Sequence, residues 1–435
     1  MVNEAAAWSN WAGTAACRPA EIRSVRGEDQ IAAAVREAAA AGRTVKVAGT
    51  GHSFTDIACT DGVMLRLDRH DRVLGVDREA RTVTVEAGIT LAALCVRLAE
   101  NGLALSNMGD IGYQTVAGAL ATGTHGTGAT FGNLSSQLTA VRLVTASGEV
   151  VECSPSQDPD LFRAARVSLG ALGVVSAVTI QCEPAFNLHA VEGPALFDDV
   201  LERFDELVAS NEHFECYWFP HTRKAMTKQN NRTGLPAMPK SRARAYVDDI
   251  FVANSVFGAM CRTGRRFPGL TPRLAKIVNV ALSRTEEVDR SDRVFTSPRL
   301  VRFAEMEYAL PRGSVVPAAK EVRLLIERLG LRVSFPIEVR VSAGDDAYLS
   351  MANGRDSGYV AVHMFQGVEF GPYFRAVEQV MRELDGRPHW GKLHFRTAAD
   401  LEPAYPDWAK FAAVRDRVDP NKMFTNAYLQ RVLGS

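Results

Sequence analysis

The chain has 435 residues, 46% of them apolar and 23% charged, and its 50 basic residues are matched by 50 acidic ones. That length is ample for two cores, and the absence of net charge leaves no field to attract a phosphate backbone or an anionic bilayer, so nucleic acid is not an expected partner. Seven cysteines, at 17, 59, 95, 153, 182, 216 and 261, include no C-x-x-C pair; they indicate neither a disulfide framework nor a thiolate metal site, no metal is expected, and a reducing compartment fits best.

The opening MVNEAAAWSNWAG lacks the basic and then apolar regions of a secretion signal, and no apolar run of membrane-spanning length follows, so a cytoplasmic protein without a membrane span is expected. Residues 28–41 place Ile31, Ala34, Val35 and Ala38 at helical spacing and stop at Gly42, after which TVKVA (44–48) reads as a buried strand. This strand empties into Gly49-Thr50-Gly51-His52-Ser53 and is followed by short strands at 63–68, 73–77 and 82–88. Thr90 is suited to cap a helix that closes at Gly102. A long loop rich in Gly and Thr runs from Asn107 to Gly128, and strands at 138–146 and 174–182 flank a helix-like stretch around DLFRAARVSL.

The pattern shifts after Pro184. From 195 to about 335 the sequence suggests amphipathic helices such as ALFDDVLERFDELVAS, a polar loop near 229–245 and basic stretches around CRTGRRFPG. Strands return at 335–342 (FPIEVRVS) and 358–366 (GYVAVHMFQ), and RPHWGKLHF precedes the final DPNKMFTNAYLQRVLG. The predicted organisation is an α+β cofactor domain (1–185), an inserted α+β substrate or cap domain (186–385) and a C-terminal segment (386–435) that returns to the first domain.

Gly49-x-Gly51 after a strand, with Asp68 about 20 residues on, imitates the opening of a dinucleotide fingerprint. The third glycine position is Phe54, however, and no apolar stripe follows for the helix that should hold the pyrophosphate, so a nicotinamide Rossmann domain is rejected. Closely spaced glycines still let backbone N–H groups converge on an anion. The run Thr122-Gly123-Thr124-His125-Gly126-Thr127-Gly128 offers the same backbone freedom, and two such loops around one set of strands favour a large phosphate-bearing cofactor over surface turns.

Four segments together carry a family resemblance: VAGTGHSFTD (47–56), GDIGYQTVAGALATGTHGTG (109–128), SLGALGVVSAVTI (168–180), and the pair HWGK and DPNKMFTNAYL near the C-terminus. They resemble the aldonolactone oxidase group, which includes gulonolactone and arabinonolactone oxidases and dehydrogenases, within the vanillyl-alcohol-oxidase-type (PCMH-like) FAD superfamily. The likeness spans nearly the whole chain and is strongest to the actinobacterial gulonolactone dehydrogenases, down to WSNWAG at the start and GRRFP at 264–268.

The resemblance implies FAD, joined in that family through the histidine of G-x-G-H-S to the 8α carbon of the flavin ring; that histidine is His52 here, although some relatives hold FAD without the bond. Read by itself, His52 is more readily a turn histidine bonded to a loop carbonyl, and it is the motif around it that favours the flavin bond. The resemblance also implies that FAD is lined by Ala48, Gly49, Thr50, Gly51, His52, Ser53 and Phe54, by Gly109, Asp110 and Ile111, by Thr115, Gly118 and Ala119, by Thr122, Gly123, Thr124, His125 and Gly128, and by Val174 and Val175. For Asp110 a substrate hydrogen bond and a brace for the pyrophosphate loop both stand.

On the substrate side, Glu338 and Arg340 of FPIEVRVS project from one face of a strand, a carboxylate and a guanidinium suited to converge on one polyol or lactone; the family's E-x-R motif falls on them. Lys392 matches the H-W-G-K lysine near the flavin, on a strand-like segment that would set Trp390, Lys392 and His394 on one face. His363 matches an active-site histidine of the alditol oxidases, with a core histidine as the other reading. Phe365 replaces a small polar residue of those enzymes, which favours a lactone over an open-chain polyol. The implied reaction is hydride transfer from the carbon bearing the 2-hydroxyl of an aldono-1,4-lactone to flavin N5, yielding a 2-keto lactone that enolises; an alditol oxidase or a tailoring oxidase of secondary metabolism is the alternative. Oxygen and a redox protein or dye are both open as the electron acceptor.

Overall fold

A computed structural model describes residues 7–241, 243 and 246–434. Helix Gly27–Ala40 buries Ile31, Ala34, Val35 and Ala38 against Val45, Val63 and Leu65, the stripe that its spacing predicts. Those valines and the leucine belong to a three-stranded parallel sheet ordered Glu21–Ser24, Val63–Arg66, Val45–Ala48. A five-stranded antiparallel sheet is ordered Val150–Cys153, Leu138–Val144, Val174–Gln181, Thr82–Glu86, Val73–Asp77. Helix Leu91–Glu100 starts where Thr90 Oγ1 accepts from the Ala93 amide (3.2 Å). It buries Leu91, Leu94 and Leu98, each worth about 1.5–3 kcal/mol when fully removed from water.

The Gly/Thr stretch from 107 to 128 is not all loop. Thr115 accepts from the Gly118 amide (3.3 Å) and opens helix Val116–Ala121, which buries Val116, Ala119 and Leu120. A helix of that length offers too few repeats to stand out among glycines.

The larger departure lies between 195 and 335. An eight-stranded antiparallel sheet is ordered Thr285–Arg290, Asn187–Leu196, Lys224–Thr233, His213–Trp218, Ile337–Ser342, Ser357–Phe365, Phe303–Pro311, Arg387–Pro388. Four of these strands fall where helices and a polar loop were expected; Lys224–Thr233 takes up the start of that loop, of which 242, 244 and 245 lie outside the described residues. ALFDDVLERFDELVAS is split into the end of strand Asn187–Leu196 and two short helices, Phe197–Glu202 and Phe204–Ala209.

The sheet sorts its residues by the two-residue period of a strand. Phe214, Cys216, Met306, Tyr308, Ile337, Val339, Val360 and Val362 share a core with Ala318, Val322 and Leu325 of helix Val315–Arg328 and Phe374 and Val377 of helix Gly371–Glu383. The intervening residues Glu215, Tyr217, Glu305, Glu307, Glu338, Arg340 and His363 take the opposite face. Helices Trp408–Val418 and Ala427–Leu433 bring Phe411, Val414, Tyr428, Leu429 and Val432 into one cluster with Leu94, Val116 and Leu161, and the Val45 amide donates to the Met423 carbonyl (3.0 Å). Among the described residues no helix is long and apolar enough to cross a membrane.

Candidate active site

A cavity of about 710 Å³ opens between the glycine loops and the polar face of the large sheet, within the size range of cofactor pockets. Its wall includes Gly49, Thr50, Gly51, His52, Ser53 and Phe54, then Gly109, Asp110, Ile111, Thr115, Gly118, Thr122, Thr124, His125 and Val175, and on the other side Glu338, Arg340, His363 and Lys392. Five residues of the expected FAD lining stand behind the wall. Ala48 packs with Trp8 and Met64, Ala119 and Val174 fill hydrophobic cores, Gly123 turns at φ 70° against Met351, and Gly128 at φ 137° against the Glu212 carbonyl.

The cofactor side is built for close backbone approach. A Cβ on Gly49 would lie 2.5 Å from Thr115 Oγ1, one on Gly109 would lie 3.0 Å from Thr124 Cγ2, and Gly51 sits at φ 78°. The loop is clamped from outside: Trp11 N donates to Gly51 O (2.8 Å), Asn10 Nδ2 to Ser53 O (2.9 Å) and Thr14 Oγ1 to Phe54 O (2.7 Å). His52 is thereby held 5.6 Å from the Trp11 ring, and its buried Nδ1 has no hydrogen-bond partner among the described residues. Burial lowers its pKa, which keeps the imidazole neutral. An orphaned imidazole nitrogen beside a glycine cradle fits a bound flavin.

The opposite wall holds a chain of buried charges. Lys392 Nζ lies 2.5 Å from Glu305 Oε1 and 2.8 Å from Glu307 Oε2. His363 donates Nδ1–H to the Pro336 carbonyl (3.0 Å), which leaves Nε2 facing Glu305 at 3.2 Å. His125 likewise donates Nδ1–H to Gly126 O (2.8 Å) and turns Nε2 to Glu307 at 3.2 Å. Arg340 pairs with Glu338 and with Glu215, whose Oε2 is 2.8 Å from Arg340 Nε. Burial raises the carboxyl of Glu305, but Lys392 and then His363 outweigh it and hold the pKa at about 2. Burial pulls Lys392 down, and Glu305 and Glu307 more than reverse that, so it stays an ammonium. Glu338 moves the other way: burial raises it against the pull of Arg340.

Glu305, Glu307 and Glu215 are missing from the sequence-based site. Two acids alternating in the apolar run FAEMEYALP were the signal, readable once that run is taken as a strand. His125, Glu307 and His389 bring donor atoms within 4.8 Å of one another, as do Glu305, Glu338 and His363. Lys392 and Arg340 already neutralise those carboxylates, so a divalent cation would meet two fixed positive charges.

HWGK departs from the expected strand. The Lys392 amide closes a turn on His389 O (2.9 Å), so of Trp390, Lys392 and His394, expected on one face, Lys392 lines the cavity and the other two do not. Trp390 Nε1 donates to Leu349 O (2.6 Å), and His394 donates Nε2–H to Tyr428 Oη (3.1 Å), which in turn donates to Trp390 O. Asp110 is engaged by Ser297 Oγ and Arg299 Nε, both at 2.7 Å; burial raises its pKa and Arg299 overrides it, giving about 2. The carboxylate therefore ties the 109–111 loop to segment 297–299. Phe365 stays out of the cavity wall, in an aromatic cluster with Phe54, Phe303 and Phe335.

Residues 178–432 match the D-arabinono-1,4-lactone oxidase family. The chain belongs to that family. Residues 19–154 match the FAD binding domain, so the cofactor of this family member is FAD. L-gulono-1,4-lactone dehydrogenase of Mycobacterium tuberculosis is 48% identical over 98% of this chain and 99% of its own length. L-gulonolactone oxidase of Bos taurus is 36% identical over 98% of each chain. Solvent-stable cholesterol oxidase superposes with a TM-score of 0.83 over 99% of this chain and 97% of its own at 19% identity. At that identity it speaks for the fold alone, the α+β architecture that the family resemblance implies.

Proposed function

We propose that this protein oxidises an aldono-1,4-lactone at the carbon bearing the 2-hydroxyl, with FAD as the immediate acceptor and oxygen or a redox partner taking the electrons onward. The observation that carries the reading is the convergence of Glu338, Arg340, His363 and Lys392 on the cavity that begins at His52. The relatives named as gulonolactone dehydrogenase and gulonolactone oxidase, aligned over almost the whole chain, support the substrate class.

Arg340, flanked by Glu215 and Glu338, presents a planar donor fork to the oxygens of a lactone, and Glu338 accepts from its hydroxyls. His363, pinned through Nδ1 by Pro336 O, turns Nε2 to the Glu305 carboxylate at 3.2 Å, so the Glu305–His363 pair, and not a free imidazole nitrogen, is the acid–base couple on the substrate wall. Lys392, held positive by two carboxylates, provides fixed charge beside the hydride acceptor and does not itself shuttle protons. Bound FAD supplies the two-electron acceptor at N5. His52, neutral and unpaired at Nδ1, is the residue that tethers it covalently. Seven unpaired cysteines support a reducing, cytoplasmic setting.

The test is a panel of gulono-, galactono- and arabinono-1,4-lactones against xylitol and sorbitol, read both with oxygen and with an artificial dye. Turnover of lactones above alditols is expected; a preference for alditols refutes the substrate assignment.

A further inference from the structure

The polar wall of the cavity does not end at Arg340. Strand Ile337–Ser342 is paired on one side with Ser357–Phe365 and on the other with His213–Trp218, where Tyr217 stands directly opposite Glu338. The two-residue period sends Phe214, Cys216 and Trp218 into the core behind the sheet and Tyr217 to the face that carries Glu338 and Arg340. Tyr217 lines the cavity, as does Met226, its partner on the next strand.

The charged groups around Tyr217 are already engaged. Arg340 and Lys228 hold Glu215, Arg340 also holds Glu338, and Ser297 and Arg299 hold Asp110. The Tyr217 hydroxyl has no hydrogen-bond partner among the described residues. Burial, and then Glu215 and Glu338, raise its pKa well above the ordinary phenol value, so it stays a neutral O–H. A tyrosine hydroxyl in a largely dry wall ordinarily has a partner, and here the space in front of it is the cavity.

Tyr217 stands two strands away from His363, roughly 10 Å at about 4.8 Å per strand. A lactone whose 2-hydroxyl lies at the Glu305–His363 couple, with its ring over Glu338 and Arg340, carries its side chain on C4, across the ring from C2 and on the side of Tyr217. We infer that Tyr217 is a specificity-determining residue whose hydroxyl binds the exocyclic hydroxyl of the lactone's C4 side chain. This rests on the lactone reading above and extends it to a part of the substrate that takes no part in the chemistry.

The test compares arabinono-1,4-lactone, with a hydroxymethyl group on C4, and threono-1,4-lactone, which keeps the ring 2- and 3-hydroxyls and has no C4 side chain. Whether the natural holoenzyme oxidises lactones at all decides the substrate class; the ratio of the two kcat/KM values decides the role of Tyr217. The natural protein should favour arabinono-1,4-lactone. Tyr217→Phe, which removes one oxygen, should shrink that preference about 3- to 10-fold, the worth of one neutral hydrogen bond, and through KM more than kcat. An unchanged ratio, or an equal fall for both lactones as a purely structural role would give, overturns the inference. Equal kcat/KM for the two lactones in the natural protein overturns it as well, with no need for a variant that folds.

Discussion

Lys392 Nζ lies 2.8 Å from Oε2 of Glu307, a residue with no exposed side-chain surface. A carboxylate so placed is tolerable only while its cation is present. Lys392→Met leaves Glu305 and Glu307 uncompensated, and a loss of about 3–5 kcal/mol in unfolding free energy is expected by urea denaturation, together with loss of turnover. Adding Glu307→Gln to Lys392→Met should recover part of that stability. A double variant whose loss equals the sum of the two single losses would show that the pair is not coupled.

Glu305 sets an acid limit on the fold. Its pKa is about 2 in the native protein and near the ordinary glutamate value of about 4.3 when unfolded. A carboxylate lowered on folding contributes stability that is complete above the unfolded value and is lost as the pH falls toward the folded one. Glu305→Gln should therefore narrow the difference in melting temperature between about pH 6 and about pH 3. An unchanged acid limb would remove Glu305 from this role.

Arg340 carries two acidic partners and the substrate contact. Arg340→Ala should lower kcat/KM by about 10²-fold or more, as for a lost charge-assisted contact in a dry site, while the flavin absorbance stays with the protein. Retention of natural turnover would take Arg340 out of the reaction.

His52 decides how FAD is held. Acid precipitation of the natural protein should leave flavin fluorescence in the pellet, and His52→Ala should release it to the supernatant with FAD binding weakened and not abolished. Complete release from the natural protein would disprove the covalent bond without touching the reaction assignment.

Several parts of this protein were readable in one dimension because their signals are local. The stripe of Ile31, Ala34, Val35 and Ala38 needed only the helical period, Thr90 only its position before an apolar run, and Gly49, Gly51 and Gly109 only the room that their missing side chains leave. Glu338 and Arg340 could be paired because alternation along one strand sets them on one face. Segments of mixed polarity between 195 and 335 misled, since Lys224–Thr233 gains its strand character from its neighbours.

Sequence alone thus determined the glycine loops of the cavity, the family and four residues of the opposite wall, Glu338, Arg340, His363 and Lys392. Tertiary structure decided how that wall is charged. Strand register places Glu305 opposite His363, and puts Glu307 and Glu338 on either side of Ala361. A turn at His389 then drives Lys392 between Glu305 and Glu307, while the Trp390 indole turns to Leu349 O and His394 to Tyr428 of the C-terminal helix. Register and turn geometry are properties of paired strands and packed faces, so residues far apart along the chain acquire each other's charge only when the sheet closes.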